Sequence, residues 1–371
     1  MPAGLRRKTV RRRKQPHSEA LLWARLRCPT QHVTLFTRQL ATLLQAGIAL
    51  PKALNTLAST TPDPSLSLTL REMLLRINEG IYLSRSLAPF RRMFPPVFVA
   101  MIRVGERTGA LVAVLEKLSQ WQERDDRLAR RVRSALTYPA FVLILTVLLM
   151  LAMFLTVLPG FVRLFQDTGV PIPWMTRITF TLVGLVRNPG AWVIGAVLVL
   201  SWAGMIRERM ATRTGRAQLF EVALAVPLLG SLLAYGCMAR FTSAMATLLG
   251  SGVDLLKSLE LAAQASGNPI LQEDCERIAR GLREGEHLCD LMEGAFPPTV
   301  VQLVAVGEET SRLEEMFARL SDLYDAEVHY LLDSLGSVLE PFLLGVVATG
   351  VGWTVLSIML PLYGFLATLG G

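Results

Sequence analysis

The chain has 371 residues, of which 51% are hydrophobic and 18% charged, with a mean hydropathy of +0.41 and a formal net charge of +8. This apolar surplus exceeds what one soluble core requires and argues against an ordinary soluble globular protein. The surplus is concentrated in a few uncharged runs, which indicates segments that cross a membrane.

The chain begins with a basic tail, residues 1–31, in which seven of residues 6–14 are Arg or Lys. We interpret the tail as a disordered segment attracted to anionic lipid head groups, with docking on an acidic partner as the alternative. No apolar core adjoins Arg6 and Arg7, so a cleaved export signal is not expected. No aromatic residues interleave the charges, so direct nucleic-acid binding is not expected either.

An internal repeat dominates the rest of the chain. Residues 36–58 recur as residues 241–263, with 11 identities in 23 positions at a constant offset of 205. After a three-residue deletion the two copies continue at an offset of 202, where Phe94-Pro95-Pro96 matches Phe296-Pro297-Pro298. The chain is therefore one module written twice, and we call the two modules copy 1 and copy 2.

Each copy has the apolar spacing of helices. Side chains such as Phe36, Leu40 and Leu44 recur at intervals of three and four residues. Gly47 and Gly252 follow the first helical run of their copies, where a left-handed helix end favours glycine. Each copy is predicted to be an all-helical bundle of about five or six helices, suited to packing and partner recognition.

A second tight match is the segment V-G-E-x-T, which contains Gly105 and Glu106 in copy 1 and Gly307 and Glu308 in copy 2. We interpret the glutamate as an acceptor of backbone N–H bonds at the start of the next helix. The alternative is that it contacts a partner or an ion. A calcium loop is not predicted, since its D-x-[DN]-x-[DN]-G pattern is absent.

Three segments are predicted to cross the membrane. No charged residue occurs from Ser134 to Val162 or from Pro341 to Gly371, and each run exceeds the roughly 20 residues that a spanning helix needs. A third apolar segment, residues 190–206, is at the lower limit of that length.

Lys and Arg near the spans predict their orientation. Residues 115–134 carry six, the loop 160–189 carries three and residues 207–226 carry four. Because basic loops stay inside, both copies are expected in the cytoplasm, with Arg131 among the orienting charges. The predicted organisation is a tail (1–31), copy 1 (32–133), span 1 (134–162), a periplasmic loop (163–187), span 2 (188–206), copy 2 (207–338), span 3 (339–366) and an end segment (367–371).

Prolines recur at equivalent places in the spans. Tyr138 and Pro139 lie near the start of the first, and Glu340 and Pro341 near the start of the last. A proline in a membrane helix leaves a carbonyl for neighbours to satisfy, and we interpret both as structural, with a mobile bend as the alternative. A carboxylate is tolerable near head groups but costs roughly 2.5–3.5 kcal/mol at the bilayer centre, so Glu340 is expected at the inner boundary.

Motifs of common enzymes are absent. The chain has no Gly-Lys dipeptide, so it lacks the phosphate-binding G-x-x-x-x-G-K-[ST] loop, and it has neither G-x-S-x-G nor H-E-x-x-H. The four cysteines form no C-x-x-C pair, and a zinc site at Cys275, His287 and Cys289 is disfavoured because copy 1 has no matching ligands. We therefore expect no catalytic, cofactor or metal site and no enzyme.

Six strings carry a family resemblance. They are FTRQLATLLQAGIALPKAL, VGERTGAL and RVRSALTYPAFVLI in the first half, and FTSAMATLLGSGVDLLKSL, VGEETSRL and LEPFLLGVVATGVG in the second. From about residue 32 to its end, the chain resembles the inner-membrane platform proteins of type II secretion and type IV pilus systems, the GspF/PilC family.

The resemblance implies an all-α, multi-pass protein of the bacterial inner membrane, with two homologous cytoplasmic helical-bundle domains and three transmembrane helices. It implies a non-enzymatic, homo-oligomeric hub without a cofactor. Its implied partners are a hexameric cytoplasmic secretion or pilus ATPase, pilin or pseudopilin subunits, other inner-membrane assembly proteins and membrane lipid. One departure is that Gly109 of copy 1 becomes Ser311 in copy 2, which leaves the equivalence of these turns open.

Two other classes compete with a platform. A membrane-anchored helical signalling or scaffold protein would need a phosphoacceptor or nucleotide-binding element, and none is visible in the sequence. A channel or carrier usually has ionisable groups within its spans, whereas the first and third spans have none.

Overall fold

The computed structural model describes residues 28–156, 188–226 and 229–369, with a few residues between 177 and 184. Within these ranges the chain is helical and contains no strand, which confirms the predicted all-α class. Most of the predicted tail (1–31), most of the predicted loop (163–187) and the last two residues lie outside the described residues.

Both copies fold into the same order of helices. Copy 1 consists of α1 (Thr30–Gln45), α2 (Leu50–Thr60), α3 (Pro64–Asn78), α4 (Leu83–Leu87), α5 (Pro96–Thr108) and the first part of α6 (Leu111–Thr156). Two helices follow, α7 (Pro189–Ala211) and α8 (Arg213–Leu224). Copy 2 consists of α9 (Leu229–Gly250), α10 (Leu255–Ser266), α11 (Pro269–Glu284), α12 (Leu288–Met292), α13 (Pro298–Glu309) and the first part of α14 (Leu313–Leu369).

A glycine ends the first helix of each copy and turns the chain into a hairpin. Gly47 has φ +79° and Gly252 has φ +80°, a left-handed conformation that side-chain-bearing residues rarely adopt. After α1, the N–H of Ile48 donates to the carbonyl of Leu43, and after α9 an equivalent bond runs from Val253 to Leu248. These bonds satisfy carbonyls that the helix end would otherwise leave unpaired.

The same aromatic pair lies in the core of both copies. Phe36 contacts Phe94 with ring centroids 6.0 Å apart, and their counterparts Phe241 and Phe296 are 5.3 Å apart. All four side chains are buried. Burying one such side chain contributes about 1.5–3 kcal/mol, so each pair is a substantial part of its bundle's stability.

The described residues form two compact units. Unit 1 takes the residues up to 127 together with 238–267 and 271–322, and unit 2 takes the residues within 128–237, 268–270 and 323–371. The bundles of both copies thus belong to one unit, in which α5 packs against α10. The repeat alone predicts two separate domains, because it does not reveal how its copies pack.

Unit 2 contains most of the apolar length of the chain. Leu128 of α6 packs with Val328, Leu332 and Leu335 of α14 in a buried cluster. Further along the same two helices, Gly350 lies so close to Met150 that a β-carbon at position 350 would collide with its methyl group. Small residues allow membrane helices to approach closely, and this contact fits that rule.

Three segments of the described chain are long and apolar enough to cross a bilayer: Leu111–Met153, Gly230–Gly250 and Leu313–Ser357. The first covers residues 134–153 of predicted span 1, and the third covers residues 339–357 of predicted span 3. The second lies in α9, the counterpart of α1, and half of it is buried inside the structure. Its Phe241 and Met245 are fully buried, as expected for a core helix.

The predicted span 2, residues 188–206, coincides with α7 and is not among those three segments. Helix α7 nevertheless exposes large apolar side chains along its length. Val197, Leu200 and Trp202 are each at least 58% accessible. Such a surface is unfavourable in water, because each buried methylene would gain about 0.8 kcal/mol.

The prolines do not break their helices. Helix α6 continues through Pro139 and α14 continues through Pro341. Pro139 is buried, whereas Pro341 and the neighbouring Glu340 are exposed. Tyr138 is 63% exposed on the surface of α6.

The turns before α6 and α14 are equivalent in conformation despite their different residues. Gly109 has φ +72° and Ser311 has φ +56°, and Ser311 is the only non-glycine with positive φ among the described residues. The departure of copy 2 from the family pattern therefore changes the residue and keeps the turn. A left-handed conformation costs a residue with a β-carbon about 1–2 kcal/mol.

We expect Ser311→Gly to stabilise the protein and Gly109→Ser to destabilise it, each by roughly 1 kcal/mol. The shift in thermal midpoint of the full chain in detergent should be about 2–4 °C in opposite directions. Nothing within 4 Å would touch a β-carbon at Gly109, so the backbone conformation is the cause that the pair isolates. Shifts of the same sign in both variants would contradict this account.

Candidate functional site

A glutamate ties two helices together at one corner of each copy. In copy 1, the carboxylate of Glu106, near the end of α5, accepts a hydrogen bond from the backbone N–H of Ser84 at 3.2 Å. Ser84 lies in the first turn of the short helix α4. The predicted target was wrong, because this helix precedes the glutamate and is not the next helix along the chain.

The corner in copy 2 has more hydrogen bonds. Glu308 accepts from the N–H groups of Leu288 and Cys289 at 3.1 and 3.2 Å, and its Oε1 lies 3.1 Å from Nδ1 of His287. Burial opposes the charge of this carboxylate, but the two N–H donors and His287 outweigh that effect and lower the pKa of Glu308 from its usual 4.5.

The glycine before each glutamate allows a close helix approach. A β-carbon at Gly105 would lie 3.1 Å from the Cα of Leu111 and 3.2 Å from Val114. In copy 2, a β-carbon at Gly307 would lie 3.0 Å from the side chains of Leu313 and Met316. The V-G-E segment therefore fixes the angle at which α6 and α14 leave their bundles.

Charged side chains connect the two copies within unit 1. Nζ of Lys117 on α6 donates to the carbonyl of Gly250 and lies 3.5 Å from Oε1 of Glu314 on α14. Seven residues later, Nη1 of Arg124 lies 3.2 Å from Asp322 Oδ1. The partners are seven residues apart on α6 and eight apart on α14, and both spacings keep side chains on one face of a helix, so α6 and α14 run in the same direction here. We call this paired segment, residues 117–124 and 314–322, the stem.

The two ion pairs of the stem determine the register between α6 and α14 more than they stabilise the fold. Each of the four side chains is at least 42% exposed, and exposed ion pairs contribute about 0–1 kcal/mol. A cleft of about 200 Å³ opens beside them, lined by Trp121 and Thr247 among others. That volume is below the roughly 300–1,000 Å³ of small-molecule sites, so the cleft does not point to a substrate.

Equivalent faces of the two copies differ in character. On copy 1, Leu68 and Leu75 of α3 and the following Tyr82 are 52%, 61% and 64% exposed. Three exposed polar residues stand at the same positions in copy 2: Glu273, Arg280 and His287.

The charge around these faces also changes sign. Residues 64–92 carry five arginines and two glutamates, whereas the equivalent residues 269–294 carry seven carboxylates and three arginines. A surface that attracts the face of copy 1 is therefore repelled by the face of copy 2. The divergence could be read from the sequence by aligning the copies, but only the structure shows that these residues are exposed.

The structure groups potential metal ligands differently from the set considered in the sequence. Cys275, His287 and Cys289 are not among the described residues whose ligand atoms converge. Burial raises the pKa of the Cys275 thiol to about 12. Cys28, His32 and Asp63 do converge, within 4.8 Å of one another. Sequence reasoning missed them, although C-x-x-x-H was a visible signal.

The remaining predicted residues lie outside the corners and the stem. Arg131 is exposed on α6, and Glu340 is exposed on α14. Their placement on the long helices agrees with a role at a membrane boundary.

These features define a class, namely multi-pass helical membrane proteins that contain a duplicated helical bundle. The family model described as type II secretion system (T2SS), protein F, matches residues 36–159 and 241–361, which is more than half of the chain and includes both copies. The chain belongs to the type II secretion system protein F family.

Relatives are similar over nearly the whole chain. The type 4 fimbrial assembly protein PilC of Pseudomonas putida is 32% identical over 95% of this chain and 88% of its own length. The type II secretion system protein F of Pseudomonas aeruginosa is 32% identical over 89% and 82%. The type IV pilus assembly protein PilC of Thermus thermophilus is 29% identical over 91% and 83%. The resemblance read from the six strings is thereby confirmed.

We expect Glu308→Gln to destabilise the protein by about 1–2 kcal/mol and Glu106→Gln by less, because Glu308 accepts two backbone bonds and Glu106 accepts one. The exposed Glu309 is a matched control, and its change to Gln should leave the thermal midpoint unchanged.

The loss at Glu308 should depend on pH. Since its pKa is lower in the folded state, its stabilisation is complete above the unfolded value near 4.5 and disappears as the pH falls through the folded value. The thermal midpoints of wild type and Glu308→Gln should therefore differ at pH 7 and converge in acid. A constant difference down to the lowest folded pH would contradict the assigned role.

Proposed function

We propose that this protein is the inner-membrane platform of a type IV pilus or type II secretion machine. In this role it couples a cytoplasmic assembly ATPase to the assembly of pilin or pseudopilin subunits, as part of a homo-oligomer with other inner-membrane proteins. Family membership supports the class of machine, since the relatives are named for pilus assembly and for type II secretion.

One observation supports the coupling role. Each copy of the bundle ends in an unbroken helix, α6 or α14, which begins at the V-G-E corner and contains an apolar run long enough to span a bilayer. A displacement applied to a bundle therefore has a continuous hydrogen-bonded route toward the membrane. The stem ties the starts of these two helices together, so that they respond as a pair.

We further propose three spans, residues 134–162, 188–206 and 339–366, with copy 1 (32–133) and copy 2 (207–338) in the cytoplasm. The Lys and Arg distribution supports this orientation. The exposed Val197, Leu200 and Trp202 support α7 as the second span. Helix α9 is not a span in this arrangement, because Phe241 and Met245 hold it in the bundle core.

The different faces of the copies favour different partners. Exposed leucines among arginines on copy 1 suit an acidic amphipathic surface, whereas the carboxylates on copy 2 suit a basic one. Duplication followed by this divergence gives one chain two distinct docking surfaces on similar scaffolds. That property suits a hub that joins a motor to other assembly proteins without catalysis of its own.

Two measurements in one strain test the proposal: thiol labelling, which reports membrane topology, and co-purification of the ATPase. A chain with Glu260→Cys, and with the partly exposed Cys28 and Cys289 changed to Ser, should react with an impermeant thiol reagent only after the cells are made permeable. A second chain, with Gln166→Cys in the predicted periplasmic loop, should react in intact cells. When the protein is solubilised in detergent and purified from the same cells, the assembly ATPase of those cells should co-purify with it.

Two results would contradict the proposal. Labelling of position 260 in intact cells would place the bundles outside. Failure of the ATPase to co-purify under conditions that keep the oligomer intact would remove the coupling role, while leaving family membership untouched.

The stem supplies a further prediction. Arg124→Glu should reduce filament assembly or secretion, because it replaces the attraction to Asp322 by repulsion. The change in interaction free energy, about 1 kcal/mol, disfavours the register in which α6 and α14 pair. Adding Asp322→Arg should restore assembly. Lys257→Glu, which reverses an equally exposed pair with Glu260 away from the stem, should have no effect. Equal defects in the single and the exchanged variants, at equal protein levels, would exclude a register role.

A further inference from the structure

Three potential ligands meet at the start of copy 1. Cys28 precedes α1, His32 lies in its first turn, and Asp63 caps the start of α3. Their ligand atoms all lie within 4.8 Å of one another. Thiolate, imidazole and carboxylate are the groups that bind zinc in proteins.

The spacing of two of these groups matches metal ligation better than hydrogen bonding. Nδ1 of His32 and Oδ2 of Asp63 are 3.7 Å apart, which is too long for a hydrogen bond. Two ligands about 2.1 Å from one tetrahedral zinc ion are separated by about 3.4 Å, so a small adjustment accommodates an ion.

The histidine also has an unexplained polar atom. Nδ1 of His32 is buried from solvent and has no hydrogen-bond partner in the described structure. Leaving such an atom unsatisfied costs about 1–3 kcal/mol, so its position between a thiol and a carboxylate calls for a ligand. A bound cation satisfies it directly.

Asp63 is oriented for a second role. Its Oδ1 accepts the N–H of Leu66 at 2.8 Å as the cap of α3, which leaves Oδ2 directed to His32. A ligand held by a second hydrogen bond is pre-oriented, as is usual in metal sites.

We propose that Cys28, His32 and Asp63 bind a Zn²⁺ ion through three protein ligands and one exchangeable position. The ion fastens the start of α1 to the turn between α2 and α3. Binding releases the thiol proton, since only the thiolate is a ligand. The site is specific to copy 1, because the equivalent residues of copy 2 are Leu233, Cys237 and Asn268.

The test uses the full chain purified in detergent, with any affinity tag removed. Wild type should retain one zinc per chain after dialysis, measured by mass spectrometry of the metal. Replacement by Co²⁺ should produce a thiolate-to-cobalt absorption band. Cys28→Ser should abolish the band and, like His32→Gln, should lose the metal, whereas Cys289→Ser should keep both.

Asp63→Asn separates ligation from folding. Asparagine caps a helix as well as aspartate does, and Asn268 caps α11 in this way by accepting the N–H of Ile270 at 2.9 Å. This variant should keep the thermal midpoint of the zinc-free protein and bind zinc at least about tenfold more weakly. The proposed site would be overturned if wild type bound no zinc when given one equivalent, or if the Cys28→Ser variant retained as much zinc as wild type.

Discussion

The close approach of α5 to the first turn of α6, and of α13 to α14, is the contact on which the rest of the structure depends. A β-carbon at Gly105 or Gly307 would lie only 3.0–3.2 Å from the facing helix, closer than an ordinary van der Waals contact. The glutamate that follows each glycine fastens the short helix α4 or α12 to the same corner. Together they fix how the first turns of the two longest helices pack on their bundles.

Duplication preserved this corner and released other positions. The backbone of the turn at residue 109 recurs at 311 even though the glycine is lost. Thr34 and Asp126 form a buried hydrogen bond of 2.8 Å in copy 1, whereas their counterparts Ala239 and Val328 are apolar and buried. A buried polar pair contributes little net stability but specifies its partner, while an apolar pair is more tolerant.

Much of the fold could be predicted from the sequence, because its signals were periodic and local. The repeat predicted two bundles of matching helices, and uncharged runs predicted the apolar parts of α6 and α14, which are long enough to cross a bilayer. Gly47 and Gly252 were identifiable as helix ends, since a left-handed backbone favours glycine wherever it occurs.

What escaped prediction depends on contacts between distant residues. Glu106 was assigned to the wrong helix, because the alternative partner Ser84 lies 22 residues earlier. The packing of both copies into one unit, the stem between α6 and α14, and the meeting of Cys28 with Asp63 are likewise non-local. The spacing of residues within one copy does not predict which side chains of the other copy they contact.

The cap at the start of α3 and α11 shows how one copy of a gene can drift while its scaffold is retained. Asp63 and Asn268 both cap their helices through a side-chain oxygen, which accepts the N–H of Leu66 in one copy and of Ile270 in the other, yet only the carboxylate carries a charge. Selection on helix initiation therefore cannot distinguish the two residues, and it leaves the charge free to be gained or lost. A duplicated domain whose fold is indifferent to such exchanges can acquire or discard an ion site without passing through an unfolded ancestor.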